Sequence, residues 1–118
     1  MTDPSRAADT TIESWHAHVY FDADTAPTAR ALCDRAATAF PAAEIGRFHE
    51  KPVGPHPMWS CQIAFAPELL ATILPWLTLN RDGLDVFIHP NTGNDLADHR
   101  DRAVFIGKSY TLDLSIFD

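Results

Sequence analysis

Six histidines are the residues of this sequence best suited to chemistry, and four of them fall on predicted strands. His16 and His18 lie two residues apart in the alternating segment WHAHVYF, so both side chains leave the same face of a strand. His49 and His89 lie on two other predicted strands, with a parity that allows them to join this face. Imidazole is the commonest metal ligand near neutral pH, and two or three such nitrogens suit Fe(II), Zn(II) or Mn(II). The four histidines therefore predict a non-haem metal site on one face of a sheet.

The other candidate residues lie in loops or beside these histidines. His56 and His99 fall in a Pro-rich and a polar loop, and loops carry function more often than their share of the chain. Arg47 shares a predicted face with His49 and could bind a substrate carboxylate bidentately. A solvated surface residue is the alternative for each of these positions. Five acidic residues are possible carboxylate ligands, and each could equally be a solvated surface charge. Their spacing does not favour one over another, and they are Glu44, Glu50, Asp85, Asp95 and Asp98.

The elements that must position these residues alternate between strands and helices. Apolar alternation predicts strands at 15–21, 45–49, 58–65, 84–89 and 110–116. Helical spacing predicts one helix that begins after Asp24 or Thr25 and another that begins at Pro67, which Pro75 could kink or end early. Pro90 is expected to end the fourth strand before a polar loop. The order predicts an α+β fold, a ferredoxin-like βαββαβ sandwich with an appended C-terminal strand, in which both helices cover one sheet face and leave the other open.

Length and composition fit one folded domain. The chain has 118 residues, of which 46% are hydrophobic and 21% charged, close to average globular usage. Residues 1–14 are small and polar without a period, which is typical of a disordered tail. We therefore expect an N-terminal tail at 1–14 and a single domain at 15–118.

Charge and cysteine usage exclude several classes of partner. A formal net charge of −7 repels a phosphate backbone, so we expect no nucleic-acid partner. The sequence has no apolar run long enough for a secretory signal or a membrane span, and we expect a cytoplasmic protein that does not bind membranes. Cys33 and Cys61 lack a CxxC spacing, which favours buried reduced thiols over a disulfide or a thiolate metal site.

Several motifs in one order resemble those of the DOPA 4,5-dioxygenase family. They are HAHVYF at 16–21, GRFHEKPVGPHP at 46–57, WLTLNRDGLDVFIHPNTGN at 76–94 and DH at 98–99, and the resemblance extends from about Trp15 to Phe117. It implies a ferredoxin-like domain, often dimeric, whose fungal members open the ring of DOPA in pigment biosynthesis. All six histidines lie in matching motifs, so the resemblance includes His56 and His99 in the site. It also leaves a carboxylate role open at Asp95.

The resemblance and the metal site together give our leading hypothesis, which is extradiol cleavage of a catechol by Fe(II) and O₂. We expect His18, His49 and His89 to be metal ligands, with His16 as a fourth. His56 or His99 would move the proton between a substrate hydroxyl and oxygen, because an imidazole serves as acid and as base near neutrality. The expected substrate contacts are an aromatic wall and a carboxylate anchor, formed by Tyr20, Phe87 and Arg47.

Two other functions fit the same residues. One is a different metal-dependent reaction on a small aromatic acid, with Zn(II) or Mn(II) in place of iron. The other is a dimeric, non-catalytic protein that binds a metal or a ligand. A homodimer is expected in every case, because an open sheet face and the edge of the appended strand leave surface to cover. The sequence selects neither the substrate nor the metal, and it does not tell whether the site lies within one subunit or between two.

Overall fold

A computed structural model of the protein describes residues 11–117, which form a mixed α/β fold around one antiparallel sheet. Its five strands are β1 (Ser14–Phe21), β2 (Glu44–His49), β3 (Trp59–Phe65), β4 (Asp85–Asn91) and β5 (Val104–Ile106). The helices are α1 (Ala26–Ala39), α2 (Leu70–Asn80) and α3 (Asp95–Arg100), with short 3₁₀ turns at Pro67–Leu69 and Leu114–Phe117. The strands lie in the order β2-β3-β1-β4-β5, and through β4 the elements follow the predicted sequence of strands and helices.

The alternation of β1 explains how the sheet divides the molecule into a core and a histidine face. Ala17, Val19 and Phe21 are fully buried and belong to the hydrophobic core that α1 and α2 complete. Burial of apolar surface contributes about 25 cal/mol per Å², so this face fixes the register of the strand. Because successive side chains leave opposite faces, His16 and His18 must lie on the side away from that core.

Two prolines are accommodated inside elements that they were expected to interrupt. Helix α2 continues through Pro75 to Asn80, so the early end that the sequence allowed does not occur. Strand β4 continues through Pro90 to Asn91, so the predicted end at Pro90 is wrong. Strand β5 pairs with β4 only as far as Ile88, so at Pro90 one side of β4 is an unpaired edge. Proline has no backbone N–H to donate to a neighbouring strand, and this loss costs little at an unpaired edge.

The appended strand lies at a different place from the one predicted. No strand forms at 110–116 in the described chain, which instead turns into the 3₁₀ segment Leu114–Phe117, and the fifth strand is Val104–Ile106. Asp113 explains this difference, because its carboxylate accepts hydrogen bonds from the backbone and hydroxyl of Ser115 and favours a turn. Alternation alone predicted a strand, but no neighbouring strand pairs with this segment.

The sheet face opposite α1 and α2 is less open than expected. Tyr20 and Phe87 lie on it and are almost completely buried. Helix α3, which the sequence left in a polar loop, places His99 with its ring centroid 5.9 Å from that of Phe87. The ring of Phe117 in turn lies 4.5 Å from that of His99. The expectation of an open face is therefore wrong over β4, where α3 and the C-terminal segment cover the sheet.

The N-terminal boundary of the fold is slightly earlier than predicted. Ser14, assigned to the tail, begins β1, and the Glu13 N–H donates a hydrogen bond of 2.9 Å to the Asn91 carbonyl. The predicted disorder of residues 1–10 lies outside the described residues. No helix within 11–117 has the length and apolar character needed to cross a membrane.

Candidate metal and substrate site

Three histidines from two neighbouring strands converge at the centre of the sheet. His16 and His18 come from β1 and His89 from β4, and one ring nitrogen of each lies within 4.8 Å of the others. His16 is the direct cross-strand partner of His89. The Nε2 atoms of His18 and His89 are 3.1 Å apart. Two nitrogens bound to one ion at about 2.0–2.1 Å are about 3 Å apart, so this spacing suits a shared metal.

A backbone contact fixes which nitrogen His89 offers. Its Nδ1 lies 2.9 Å from the Pro90 carbonyl, which can only accept, so Nδ1 carries the proton. The Nε2 lone pair of neutral His89 therefore points toward His18. Such a hydrogen bond on the other ring nitrogen is the usual way in which proteins orient a metal-binding histidine.

Burial keeps the histidine group neutral. It lowers the pKa of His89 to about 4, with additional repulsion from neighbouring histidines, although the bond to the Pro90 carbonyl opposes this effect. Burial first, and then the histidines around it, hold the pKa of His18 well below its usual value of 6.5. The pKa of His16 is lowered as well, first by burial and then by His99. Neutral imidazoles are the form that binds metals, so the group is ready to bind one at neutral pH.

A cavity of about 170 Å³ opens beside His18, over β3 and the edge of β2. His56 forms part of its wall, and the ring centroids of His56 and His18 are 4.1 Å apart. The Nδ1 atom of His56 lies 2.8 Å from the hydroxyl of Tyr20, so the buried phenol holds this loop histidine in place. Burial, followed by repulsion from other histidines, lowers the pKa of His56 to about 4. His56 is thus a neutral base at the edge of the cavity.

Helix α3 brings the sixth histidine over the group of three histidines. The ring of His99 lies 4.0 Å from that of His89, and its Nδ1 donates to the Asp95 carbonyl at 2.7 Å. Its Nε2 therefore carries the lone pair when the ring is neutral. His99 does not line the cavity beside His18, so the two predicted acid–base histidines occupy different sides of the group.

A buried carboxylate fixes α3 against the end of β4. Asp98 is fully buried and accepts hydrogen bonds of 2.8 Å from both the backbone N–H and the hydroxyl of Thr92. Arg102 adds an ion pair at 3.1 Å. Asp98 was expected to be either a metal ligand or a solvated carboxylate, so this buried structural role differs from both expectations. Asn94, which caps α3 by accepting from the Ala97 N–H, was the available signal for the helix.

The structure brings some of the predicted residues into the site and leaves others outside it. His49 lines the cavity with His18 and His56 but is not part of the group of three. Arg47 is exposed on the irregular part of β2 and does not line the cavity. Within residues 11–117 no carboxylate joins the histidine group, and Asp95 is exposed on the first turn of α3.

The two predicted aromatic contacts lie behind histidine rings. Phe87 is fully buried, with its ring centroid 5.7 Å from that of His18 and 5.4 Å from that of His89. Tyr20 holds His56 through its hydroxyl. Neither residue lines the cavity beside His18, so both contact histidine rings and not the space for a substrate.

The fold and the histidine motifs are those of one family. The chain belongs to the Dopa 4,5-dioxygenase family, whose model matches residues 15–116. It is 34% identical to DOPA 4,5-dioxygenase of Amanita muscaria over 97% of this chain and 54% of that protein. It is also 36% identical to an uncharacterized 21.2 kDa protein of Botryotinia fuckeliana, over 84% of this chain and 60% of that protein. The chain thus spans little more than half the length of these curated relatives.

A solved structure matches the whole fold. The crystal structure of a proposed dioxygenase from Nostoc punctiforme is 35% identical, with a TM-score of 0.79. The match covers 98% of this chain and 96% of that one. A chain of similar length therefore has the same fold.

Proposed function

We propose that this protein is a metal-dependent extradiol dioxygenase that opens the ring of a catechol such as DOPA. The observation that carries the proposal is the group of three neutral histidines beside a small cavity with a fourth, His56, at its edge. Membership of the Dopa 4,5-dioxygenase family supports it independently.

His16, His18 and His89 would hold the metal, and Fe(II) is the ion that fits the reaction best, with zinc and manganese as alternatives. Three nitrogen ligands leave coordination positions open for a substrate, as in other histidine-rich sites. When bound, iron would acidify the catechol hydroxyls and supply the redox chemistry that lets O₂ react with the ring. The protein residues contribute binding, orientation and proton transfer.

His56 would act on the proton of a catechol hydroxyl. Its Nδ1 is bonded to Tyr20, so Nε2 is the atom left for the substrate. A neutral imidazole with a pKa of about 4 takes a proton only transiently and returns it readily. His99, whose Nδ1 is bonded to the Asp95 carbonyl, would serve the opposite side of the histidine group through its Nε2.

The overall reaction consumes one catechol and one O₂. A ring bond between a hydroxylated carbon and its unsubstituted neighbour breaks, and each of these carbons gains one oxygen atom from O₂. The hydroxylated carbon becomes a carboxylate and its neighbour an aldehyde, so the ring is oxidised while O₂ is reduced. One proton is released to solvent.

Oxygen uptake by protein reconstituted with Fe(II) under anaerobic conditions tests this function. We expect consumption with DOPA or another catechol, a yellow ring-opened product, and loss of both in His18→Ala and His89→Ala. Ser109→Ala, an exposed substitution outside the cavity, is the control. Stoichiometric iron without uptake for any catechol would contradict the proposal.

Two broader inferences accompany this function. The strand order β2-β3-β1-β4, with α1 and α2 packed on the core face, supports a ferredoxin-like plan extended by β5. Cys33 and Cys61 are both free and buried, which supports a cytoplasmic location.

A further inference from the structure

We infer that Phe117 is a positioning residue for His99, and that the C-terminal segment, residues 107–117, holds both proposed proton-transfer histidines of the site. This inference rests on the proposed function, in which His99 must stay close to the group of three histidines. Phe117 does not line the cavity beside His18, so its effect on the reaction passes through His99.

The ring of His99 contacts two other rings, one buried and one near the surface. Its centroid lies 4.0 Å from that of His89 and 4.5 Å from that of Phe117, with angles of 36° and 34° between the ring planes. His89 is 1% exposed, whereas His99 and Phe117 are half-buried. Phe117 is therefore the contact of His99 on the solvent side.

The contact with Phe117 matters because the hydrogen bond of His99 is local. Its Nδ1 donates to the carbonyl of Asp95 in the same helix, and the ring can turn about this single bond. Aromatic pairs at this separation are favourable beyond the area that they bury. Removal of the Phe117 ring would therefore let His99 turn away from His89 toward solvent.

The C-terminal segment begins with a turn that is bonded to the start of β4. Gly107 has a φ of 92°, which glycine adopts without strain, and a side chain there would displace the Arg81 guanidinium and the Asp85 carboxylate. This carboxylate accepts hydrogen bonds of 2.8 Å from the Lys108 N–H and 2.6 Å from the Tyr110 hydroxyl. The first part of the segment is therefore fixed to the sheet.

The middle of the segment is bonded to the loop that carries His56. The Asp113 N–H donates a hydrogen bond of 2.9 Å to the carbonyl of Pro55, the residue before His56. The Asp113 carboxylate accepts from the N–H and hydroxyl of Ser115, which turns the chain into its final 3₁₀ segment. One segment thus contacts both the His56 loop and the ring of His99, on different sides of the histidine group.

Loss of the Phe117 contact should slow proton transfer without releasing the metal. The three proposed metal ligands are held by the pairing of β1 with β4, in which Phe117 takes no part. His99 does not line the cavity beside His18, so substrate binding there does not depend on its placement. A group that acts only in the transition state lowers kcat and kcat/KM equally when it is displaced.

Steady-state O₂ uptake with DOPA and metal analysis of Fe(II)-reconstituted variants test this inference. In Phe117→Ala we expect kcat to fall about tenfold, with KM within about twofold and an unchanged iron content. Phe117→Tyr keeps the ring and should keep kcat. Ile116→Ala, at a neighbouring position that is 57% exposed, is the matched control and should behave as the wild type. If circular dichroism shows Phe117→Ala unfolded, Phe117→Leu replaces it.

A double-mutant cycle tests whether Phe117 acts through His99. His99→Gln alone should lower kcat about 100-fold, as the loss of a general acid or base does. Phe117→Ala in the His99→Gln background should lower kcat no further, because the residue that Phe117 positions is then absent. Losses that multiply would overturn the inference and leave Phe117 a purely structural residue.

A measurement of ring placement separates this inference from the proposed function. In the full chain with Zn(II), a diamagnetic substitute for Fe(II), the His89 and His99 rings are close enough for a nuclear Overhauser effect. We expect this signal to disappear in Phe117→Ala and to remain in Phe117→Tyr and Ile116→Ala. Its persistence in Phe117→Ala would contradict the positioning role. An absence of O₂ uptake in the wild type would overturn the function, and the signal would still decide the placement of His99.

Discussion

At the scale of single residues, the neutrality of the histidines is what suits the centre of the sheet to a metal ion. Burial is the first cause of the lowered pKa in each histidine of the group of three and in the neighbouring His56, namely His16, His18, His89 and His56. A proton on any one of them would place a positive charge away from water, and protons on several would place like charges side by side. The same arrangement that suits a metal therefore makes the fold sensitive to acid.

The stability of chelator-treated protein should rise with pH between about 4 and 6.5. His56 and His89 have a folded pKa of about 4 and an ordinary value of 6.5, so in this window the unfolded chain binds more protons. The free energy of unfolding is highest above pH 6.5. It falls by about 3 kcal/mol for each of the two histidines as the pH drops from 6.5 through 4. Urea unfolding at a series of pH values measures this slope. His89→Gln should flatten it, and a slope of the opposite sign would contradict the account.

The hydroxyl of Tyr20 should matter for turnover and not for metal content. Tyr20→Phe keeps the ring but removes the partner of His56 Nδ1, so we expect kcat to fall about 10- to 100-fold, as when other supporting groups are lost. Tyr110→Phe is the matched control, because the Tyr110 hydroxyl donates to Asp85 and does not contact His56. Steady-state O₂ uptake and metal analysis of both variants measure the effect. Equal kcat in the two variants would contradict a role for the Tyr20 hydroxyl.

At the scale of elements, strands that are set by apolar alternation could be predicted from the sequence. A short helix whose position depends on single polar residues could not. Strand β1 has a regular apolar face, so the placement of His16 and His18 on the opposite face could be predicted. Helix α3 has only six residues and no apolar stripe, and its position depends on the buried Asp98 carboxylate. The sequence pattern therefore made His99 only one loop candidate among others, and it was the family resemblance that included it in the site.

Loss of the Asp98 carboxylate should release α3. Asp98→Ala removes the acceptor for Thr92 and the ion-pair partner of Arg102, and we expect a loss of about 3 kcal/mol in the free energy of unfolding. Asp95→Ala, on the exposed side of the same helix, should cost about 0.5 kcal/mol or less. Chemical denaturation of the two variants measures both. A similar small loss in each would show that Asp98 does not fix the helix.

At the scale of the whole molecule, we propose that the protein is a homodimer. The outer strands β2 and β5 leave two sheet edges, and unpaired edges are usually covered in native proteins. Val104 is 48% exposed, so the edge strand β5 presents a large apolar side chain to solvent. These features favour an interface at the β5 side.

Light scattering coupled to size exclusion should give twice the chain mass. Val104→Lys should shift the mass toward that of the monomer, because charged side chains on an edge strand oppose pairing. Leu79→Lys, at a site that is 83% exposed on α2, is the control and should leave the dimer intact. A monodisperse wild-type monomer would contradict the proposal.

Metal stoichiometry tests the central claim most directly. After anaerobic reconstitution with Fe(II) and removal of excess ion, we expect one iron per chain in the wild type. His16→Ala, His18→Ala and His89→Ala should lose it, while His49→Ala should keep it, because His49 lies outside the group of three. Wild-type protein without bound iron, or iron retained in all three variants of the group, would contradict the assignment of this metal site.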